Sequence, residues 1–347
     1  MNKTPTKSYS NDIYKKFGIE AYHEKGIYGQ GVSIYLIDMG LTNARAKRIH
    51  MRHISGPKKA SDESGPKSAK HGAFVAAIVG QAAEDSPDGI PGIAPKAQIY
   101  AADVCSGNGT IYTSTLVAAI RDAVDLSVDI ISISLGTNVY SQSLENVVKE
   151  AAQRGILVVA ASGNCSCRTY EFPAACDAAI SVASMDLNRV PSPFNTRNDS
   201  VAIFAPGHNI QVDNKNLSGT SFAVPFASGL IALELSRIRN TVATESLGAP
   251  EAAPPSKPNS HIQRSSGVMS KDEAIKFLRK TLGLTSLHTY SNDTWTGRTS
   301  GGSFAEPSLK DQLSAVMIFN LVTGAIALFL MGLSKGIVKG RETCSLK

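Results

Sequence analysis

The stretch NLSGTSFAVPFASGLIALEL (residues 216–235) places Gly219, Thr220 and Ser221 directly before a long apolar run. This run predicts a buried helix with Pro225 inside its first turn, where proline is tolerated. A helix start carries unpaired N–H groups and the positive end of the helix dipole. Ser221 is therefore either an N-terminal cap or a nucleophile whose developing negative charge the helix start stabilises.

Apolar runs that alternate with helical patterns predict a parallel β-sheet covered on both faces. Strands are predicted at residues 32–38, 98–104, 129–136, 156–162, 178–184 and 201–206. Helices are predicted at residues 71–82, 114–127 and 143–155. The expected fold class is α/β, with a mainly parallel central sheet and helices on both faces.

Function gathers at the carboxyl ends of strands in open parallel sheets. Asp38 ends the strand VSIYLID, and His71 begins the helix HGAFVAAIVG. Taken singly, Asp38 is equally explained as a turn residue and His71 as a polar residue at a helix start. Taken with Ser221, they follow the order Asp, His, Ser that is described for subtilisin.

Four motifs carry a resemblance to the subtilisin-like serine peptidases: FGIEAYHEKGIYGQGVSIYLIDMGL, HGAFVAAIVG, GIAPKAQIYAADV and SGTSFAVPFASG. The resemblance extends from about Phe17 to Asp213, continues through Ser221 and its helix, and resumes at residues 270–285. It implies a subtilisin-like three-layer fold and a serine endopeptidase that hydrolyses polypeptides through an acyl-enzyme. In that mechanism Ser221 is the nucleophile, His71 the general base and Asp38 the group that orients the imidazole.

Two further segments acquire roles through the same resemblance. In VVAASGNCS, Asn164 matches the asparagine whose side-chain amide completes the oxyanion hole with the Ser221 amide. The segment SISLGT matches the one along which an extended substrate pairs, so backbone hydrogen bonds to peptide are expected from Ser134, Leu135 and Gly136. The opposite wall of the main specificity pocket is expected at Ala161, Ser162 and Gly163.

The sequence departs from the family pattern at two catalytic motifs. The aspartate motif is DMG where Ser or Thr usually follows Asp, and the histidine motif is HGAF where HGTH is usual. These departures keep open an alternative function, a pseudoprotease that binds peptides or partner proteins without cutting them. Lys47 stands about where a calcium-ligating acid is expected, and a turn explains Asp85 and Asp88 as well as a cation site does. No metal site and no cofactor are therefore expected.

The net charge of +6 is concentrated locally. Eight basic residues lie at positions 45, 47, 48, 52, 58, 59, 67 and 70, and a solvated loop is the ordinary explanation of such a run. No aromatic-interleaved basic motif accompanies it, so nucleic acid is not expected as a partner. If this loop borders the substrate cleft, acidic residues near the cleaved bond are preferred. A membrane scaffold that uses the loop to hold acidic surfaces is a third possible function.

Three of the five cysteines lie close together, at positions 165, 167 and 176. In an oxidising compartment, Cys165 or Cys167 could bridge to Cys176, and the sequence leaves open whether a disulfide forms. A zinc site is not expected, because no fourth ligand is near in the sequence.

The C-terminal region contains the stretch LSAVMIFNLVTGAIALFLMGL (313–333), which has no charged residue and is long enough to cross a bilayer. It predicts a single-pass membrane protein with a C-terminal anchor. The N-terminus lacks the apolar region of a signal peptide, which favours a cytosolic catalytic domain. The basic residues that follow the anchor favour the opposite orientation, so both remain open.

The predicted organisation has six parts. They are a catalytic domain (1–240), a linker or insertion rich in Pro, Ser and Ala (241–267), a last catalytic-domain helix (268–285), a polar spacer (286–311), a transmembrane helix (312–334) and a basic tail (335–347). The helix at 268–285 is expected to begin with a capping box between Ser270 and Glu273.

Overall fold

The computed structural model describes most of the predicted catalytic domain and the last helix. The described residues are 13–41, 49–52, 70–86, 91–105, 111–212, 215–247 and 267–284. The predicted spacer, membrane anchor and basic tail lie outside these ranges, as do Asp88 and most of the basic loop. The expectations that concern them therefore stay predictions.

Seven parallel strands form the central sheet. They are β1 (Ser33–Asp38), β2 (Ile49–Arg52), β3 (Gln98–Asp103), β4 (Ile130–Ile133), β5 (Leu157–Ala161), β6 (Ala179–Met185) and β7 (Val201–Pro206). Their spatial order is β2-β3-β1-β4-β5-β6-β7. The chain thus extends the sheet to one side of β1 before returning to build the other side, so the strand order reverses next to β1. Such a switch point is where a crevice opens at the carboxyl ends of the strands.

Helices cover both faces of this sheet. They are α1 (Ile19–Glu24), α2 (His71–Gly80), α3 (Thr113–Asp125), α4 (Gln142–Gln153), α5 (Thr220–Leu247) and α6 (Lys271–Thr281). Two separate apolar cores result, one that includes side chains of α2, α5 and α6 and one that includes side chains of α3 and α4. The predicted α/β class, with helices on both faces of a parallel sheet, is confirmed.

The alternation of side chains along β1 explains why one strand serves both cores. Ile34 and Leu36 enter the core on the α2 and α5 side. Tyr35 and Ile37 enter the core on the α3 and α4 side. Because successive side chains point to opposite faces, a strand covered on both sides is apolar on both, as β1 is from Ile34 to Ile37.

Helix α5 differs from the prediction at both ends. It begins at Thr220, so Pro225 lies in the second turn rather than the first. It continues to Leu247, so the first part of the segment predicted as a linker is helical. The Pro, Ser and Ala content of residues 241–267 predicts a linker, but residues 241–247 contain no proline and so can extend a helix that is already anchored in the core.

Among the described residues, one helical segment, Thr220–Ala243, is long and apolar enough by length and composition to cross a membrane. Of the most apolar stretch of this segment, 83% is buried inside the domain. A helix that is apolar on all sides and buried in this way is the central helix of a domain.

Two smaller elements complete the described fold. Strands β8 (Ile210–Val212) and β9 (Lys215–Leu217) pair antiparallel just before α5.

At α6, Ser270 and Glu273 form the predicted capping box, in which each side chain bonds the backbone of the other residue.

The cysteine prediction was wrong in its pairing. A disulfide joins Cys165 to Cys167. Cys176 is a free thiol buried near α4, and its side chain is hydrogen-bonded to Glu145. Burial and the Glu145 carboxylate both raise the pKa of the Cys176 thiol. Cys176 therefore contributes to the core instead of to a cross-link.

Candidate active site

Asp38 and His71 form a buried hydrogen-bonded pair at the carboxyl end of β1. Asp38 is fully buried, and His71 Nδ1 lies 2.6 Å from Asp38 Oδ1. The same oxygen accepts the Met39 amide at 2.6 Å. Because Nδ1 is occupied by the carboxylate, the other ring nitrogen, Nε2, is left as the one that can exchange a proton with a nucleophile.

Gly72 explains why a helix can start so close to the end of β1. Its amide donates to the Met39 carbonyl at 2.8 Å. A Cβ at this position would lie 2.7 Å from that carbonyl oxygen and 2.6 Å from Leu41 Cγ. Only glycine fits this approach, and the approach brings His71 onto Asp38. The departure from the family motif at Phe74 leaves this contact intact, since its partly buried ring packs against the core.

Burial and the ion pair act in opposite directions on the two groups. Burial lowers the pKa of His71, but the charge of Asp38 and its hydrogen bond outweigh burial and raise the pKa above its ordinary value. Burial raises the pKa of Asp38, while His71 and the Met39 amide oppose that rise. An imidazole whose protonated form is stabilised by a fixed carboxylate is suited to accept a proton.

Ser221 lies in the first turn of α5 and makes a reciprocal contact with Ser134. Ser221 Oγ donates to the Ser134 carbonyl oxygen at 3.0 Å, and Ser134 Oγ donates to the Ser221 carbonyl oxygen at 2.9 Å. Within a regular helix, the Ser221 carbonyl would accept the amide of residue 225, but Pro225 has none. The Ser134 hydroxyl replaces that missing donor, so Pro225 and Ser134 together fix the backbone at Ser221.

His71 lies beside this turn, because its ring centroid is 5.3 Å from that of Phe222. The Ser221 hydroxyl is directed to Ser134 and not to the imidazole in this structure. Catalytic hydrogen bonds are often long or misdirected before substrate binds. The structure thus brings together the Asp38–His71 pair and the helix start that carries Ser221.

Asn164 follows β5 and faces the start of α5. Its Oδ1 accepts the Thr220 amide at 2.9 Å, which fixes the orientation of the side-chain amide. Its Nδ2 is buried and has no hydrogen-bond partner among the described residues. A buried donor held in this way at the positive end of a helix is arranged to bind a negatively charged oxygen.

The two predicted pocket walls leave the ends of β4 and β5. Strand β4 ends at Ile133, earlier than predicted, and the carbonyl oxygen of the next residue, Ser134, accepts the Ser221 hydroxyl. The side chains of Leu135 and Ala161 are buried in the two cores, so these residues can offer a ligand only their backbone. Ser162 is also buried, and its hydroxyl has no partner among the described residues.

The sequence-based prediction missed Glu171, a buried carboxylate that lies between the two walls. A Cβ on Gly163 would lie 2.6 Å from Glu171 Cγ, and a Cβ on Gly136 would lie 3.6 Å from Glu171 Oε2. The one signal in the sequence is a lone acid between apolar and aromatic residues in TYEFPAA. Spacing alone does not place that loop at the carboxyl ends of β4 and β5.

Two of the sequence-based expectations, the basic loop and the lack of a metal site, concern side chains that lie partly within the described residues. Of the eight basic residues, Arg52 and Lys70 are described: Lys70 is exposed before α2, and Arg52 forms a bidentate ion pair with Asp122 at 2.9 and 2.7 Å. Its charge is thus already paired on the outer strand β2. Within the described ranges, no group of three or more His, Cys, Asp and Glu side chains is placed to hold a metal ion.

Comparison with known proteins identifies close relatives by sequence. The chain is 36% identical over 225 residues to the major intracellular serine protease of Bacillus subtilis, a match that covers 60% of this chain and 70% of the relative. It is 33% identical over 222 residues to the thermostable alkaline protease of Halalkalibacterium halodurans, covering 62% of this chain. The chain spans only 60% of the length of that second relative.

Solved structures show the same architecture. The S218A mutant of the protease domain of PatA is 28% identical, with a TM-score of 0.53 over 63% of this chain and 83% of the PatA domain. A cold adapted subtilisin-like serine proteinase is also 28% identical, with a TM-score of 0.51 over 61% of this chain and 77% of its own. The profile of the subtilase family matches residues 29–253, a range that includes Asp38, His71, Asn164 and Ser221. The chain therefore belongs to the subtilase family, the subtilisin-like serine peptidases.

Proposed function

We propose that this chain is a serine endopeptidase, tethered to a membrane by residues 313–333, in which Asp38, His71 and Ser221 form the catalytic triad. The observation that carries the proposal is the buried 2.6 Å contact between Asp38 and His71 beside the helix start that presents Ser221. This is the arrangement that acyl transfer to a serine requires.

The first chemical step begins when the Ser221 hydroxyl turns from the Ser134 carbonyl to His71 Nε2. His71 takes the proton as Ser221 Oγ attacks the carbonyl carbon of a peptide bond. Asp38 holds the ring by Nδ1 and stabilises the positive charge that the imidazole acquires. His71 then gives the proton to the departing amine, which leaves an ester on Ser221.

Negative charge develops on the former carbonyl oxygen during this step. Asn164 Nδ2 and the Ser221 amide are the donors proposed to receive it, aided by the positive end of α5. The Asn164 donor needs no rearrangement, because the Thr220 amide already fixes the side chain by its oxygen. A water molecule, deprotonated by His71, then hydrolyses the ester.

The test is labelling of the full-length protein by a fluorophosphonate probe, which reacts with activated serines. We expect labelling of the wild type, none of Ser221→Ala and little of His71→Ala. Ser218→Ala is the matched control, because Ser218 lies in the same loop and its hydroxyl accepts the Asn209 amide. Absence of labelling in the folded wild type would contradict the endopeptidase function.

One observation favours a second candidate, the peptide-binding pseudoprotease. The Ser221 hydroxyl is hydrogen-bonded to Ser134 rather than to His71. If that bond persisted in the presence of substrate, the protein would bind peptides without cleaving them. Binding of a peptide to the wild type without label incorporation or product release would support this candidate.

The membrane tether is proposed from the sequence of residues 313–333. Arginine at the centre of a membrane helix opposes insertion by roughly 2.5–3.5 kcal/mol per residue. The double variant Val322→Arg with Ile326→Arg should therefore shift the protein from the carbonate-resistant membrane fraction to the supernatant. Protease accessibility on intact membranes then gives the side on which the catalytic domain lies.

A further inference from the structure

Both predicted walls of the substrate pocket are attached to the helix start that carries Ser221. One wall is attached through Ser134, whose carbonyl and hydroxyl both bond Ser221. The other wall is attached through Asn164, which follows Gly163 directly and accepts the Thr220 amide. The space between the walls therefore opens next to the nucleophile at one end.

Glu171 lies between the two walls, near Gly136 on one and Gly163 on the other. It is 8% exposed, although its side chain is acidic. The segment that carries it is fixed to the first wall, because the residues Thr137 and Phe172 bond each other's backbone at 2.9 and 2.7 Å. The Ala175 amide also donates to the Glu171 carbonyl at 2.7 Å. The carboxylate is therefore held in a defined place by the backbone around it.

A glycine on each wall lies beside the Glu171 side chain, and Gly163 makes room for it. Gly163 has φ +105°, and a Cβ there would collide with Thr196 Oγ1 and lie 2.6 Å from Glu171 Cγ. At Gly136, a Cβ would lie 3.6 Å from Glu171 Oε2. The Glu171 side chain thus lies between the backbone of Gly163 on one wall and that of Gly136 on the other.

The Glu171 carboxylate has no partner of opposite charge. Within the described ranges the carboxylate makes no hydrogen bond or ion pair, and the nearby Gly136, Gly163 and Thr196 carry no charge. Removal from water without compensation raises the pKa of Glu171 from 4.5 to about 7. Buried acids usually have partners, and a carboxylate left without one in a pocket is a group that a ligand can satisfy.

We propose that Glu171 determines the specificity of this pocket by pairing with the side chain of a lysine or arginine that immediately precedes the scissile bond. The inference rests on the proposed function, since it concerns the substrate of the same site. A cation that enters between the walls gains a buried, charge-assisted hydrogen bond and relieves the desolvated carboxylate. An acidic side chain in the same place would face a like charge.

This specificity differs from the preference expected from the basic loop. The loop predicts acidic residues somewhere near the cleaved bond, whereas Glu171 predicts a basic residue at the one position whose side chain enters this pocket. The two expectations concern different parts of the substrate. A substrate with one basic residue before the bond and acidic residues farther away would satisfy both.

The first test compares peptides that differ only in the residue before the scissile bond, which is Lys, Arg, Leu or Glu. At pH 8 we expect kcat/KM to be highest for Lys and Arg. In Glu171→Gln it should fall by about 10- to 100-fold for those two, the loss typical of a charged hydrogen bond, and remain nearly unchanged for Leu. The matched control is Glu20→Gln, an exposed glutamate of α1, which should leave the order of preference unchanged.

A second test is independent of catalysis. Benzamidine, a small aromatic cation, is titrated into full-length protein carrying Ser221→Ala, with and without Glu171→Gln. We expect binding at pH 8 that weakens by about tenfold or more when Glu171 is replaced. Equal affinity for benzamidine in both proteins would overturn the inference, whether or not the chain is a peptidase. A Leu preference in a wild-type enzyme that labels with fluorophosphonate would overturn it as well, while leaving the proposed function intact.

Discussion

Replacement of Glu171 by glutamine is expected to stabilise the folded protein, and to stabilise it more as the pH rises. Glu171 is buried without a partner, and desolvation raises the pKa of its carboxyl from 4.5 to about 7. The folded state therefore binds the proton of Glu171 more tightly than the unfolded state does. By linkage, the free energy of unfolding decreases as pH rises from about 4.5 to 7, and glutamine removes this decrease.

The magnitude follows from the two pKa values. Each tenfold difference in proton affinity between folded and unfolded states is worth about 1.4 kcal/mol. The difference between 4.5 and about 7 thus amounts to about 3 kcal/mol once both states are ionised. Glu171→Gln should be nearly as stable as the wild type at pH 4 and about 3 kcal/mol more stable at pH 8.

The assay is urea unfolding at a series of pH values from 4 to 8, with Ser221→Ala present in every protein to prevent self-digestion. Other ionisable groups cancel in the comparison, because they are the same in both proteins. Glu20→Gln, at an exposed position, should show no comparable dependence. A stability difference between Glu171→Gln and its parent that is constant from pH 4 to 8 would refute the claim that Glu171 is a desolvated, unpartnered carboxylate.

Three further predictions concern the proposed oxyanion donor, a predicted pocket wall and a partly buried ion pair. Asn164→Asp keeps the oxygen that accepts the Thr220 amide but loses the Nδ2 donor. The value of kcat should therefore fall by about 10²–10³-fold, the range known for such a donor in subtilisin, while the thermal unfolding temperature changes little. Gly163→Ala places a Cβ at φ +105° against Thr196, so it should lower the free energy of unfolding by about 1–3 kcal/mol, as measured in urea. Asp129 is largely buried, which opposes ionisation, but two hydrogen bonds from Arg239 at 3.0 and 2.5 Å outweigh burial and lower its pKa. The stability that this pair contributes is fully present when the pH is above 3.8, the ordinary pKa of an aspartate, and is lost as the pH falls through the lowered pKa. In Asp129→Asn, the free energy of unfolding measured in urea should therefore fall less steeply with decreasing pH below about 4.

Most of the sheet could be predicted from the sequence, for a physical reason. Parallel strands that are covered on both faces are apolar along most of their length, so a continuous apolar run such as VAIFAP predicts one directly. The observed β7, Val201–Pro206, has the predicted bounds. Strand β2 escaped prediction because it lies at the edge of the sheet and His50 and Met51 are exposed. Its sequence, IHMR, alternates apolar and polar residues over only four positions and lies within the basic run, so the pattern is too short to stand out.

The candidate site was predictable where it depends on strand ends and helix starts. Asp38 and His71 were named from those positions, and the structure joins them by a hydrogen bond of 2.6 Å. The role of Ser134 was only partly predictable, because its hydroxyl becomes important through the amide that Pro225 lacks, more than 80 residues away. Glu171 was missed because its position in the fold depends on how a loop packs near the ends of β4 and β5, and no local sequence pattern indicates that packing.

The most direct test of the central claim is to trap the acyl group on the enzyme. Full-length protein is mixed with a p-nitrophenyl ester, quenched in acid within the first turnover and analysed by mass spectrometry of its peptides. The account predicts one acyl group per active chain, attached to Ser221, and its loss in both Ser221→Ala and His71→Ala. An acyl group on any other residue, or undiminished acylation of Ser221 in His71→Ala, would contradict it.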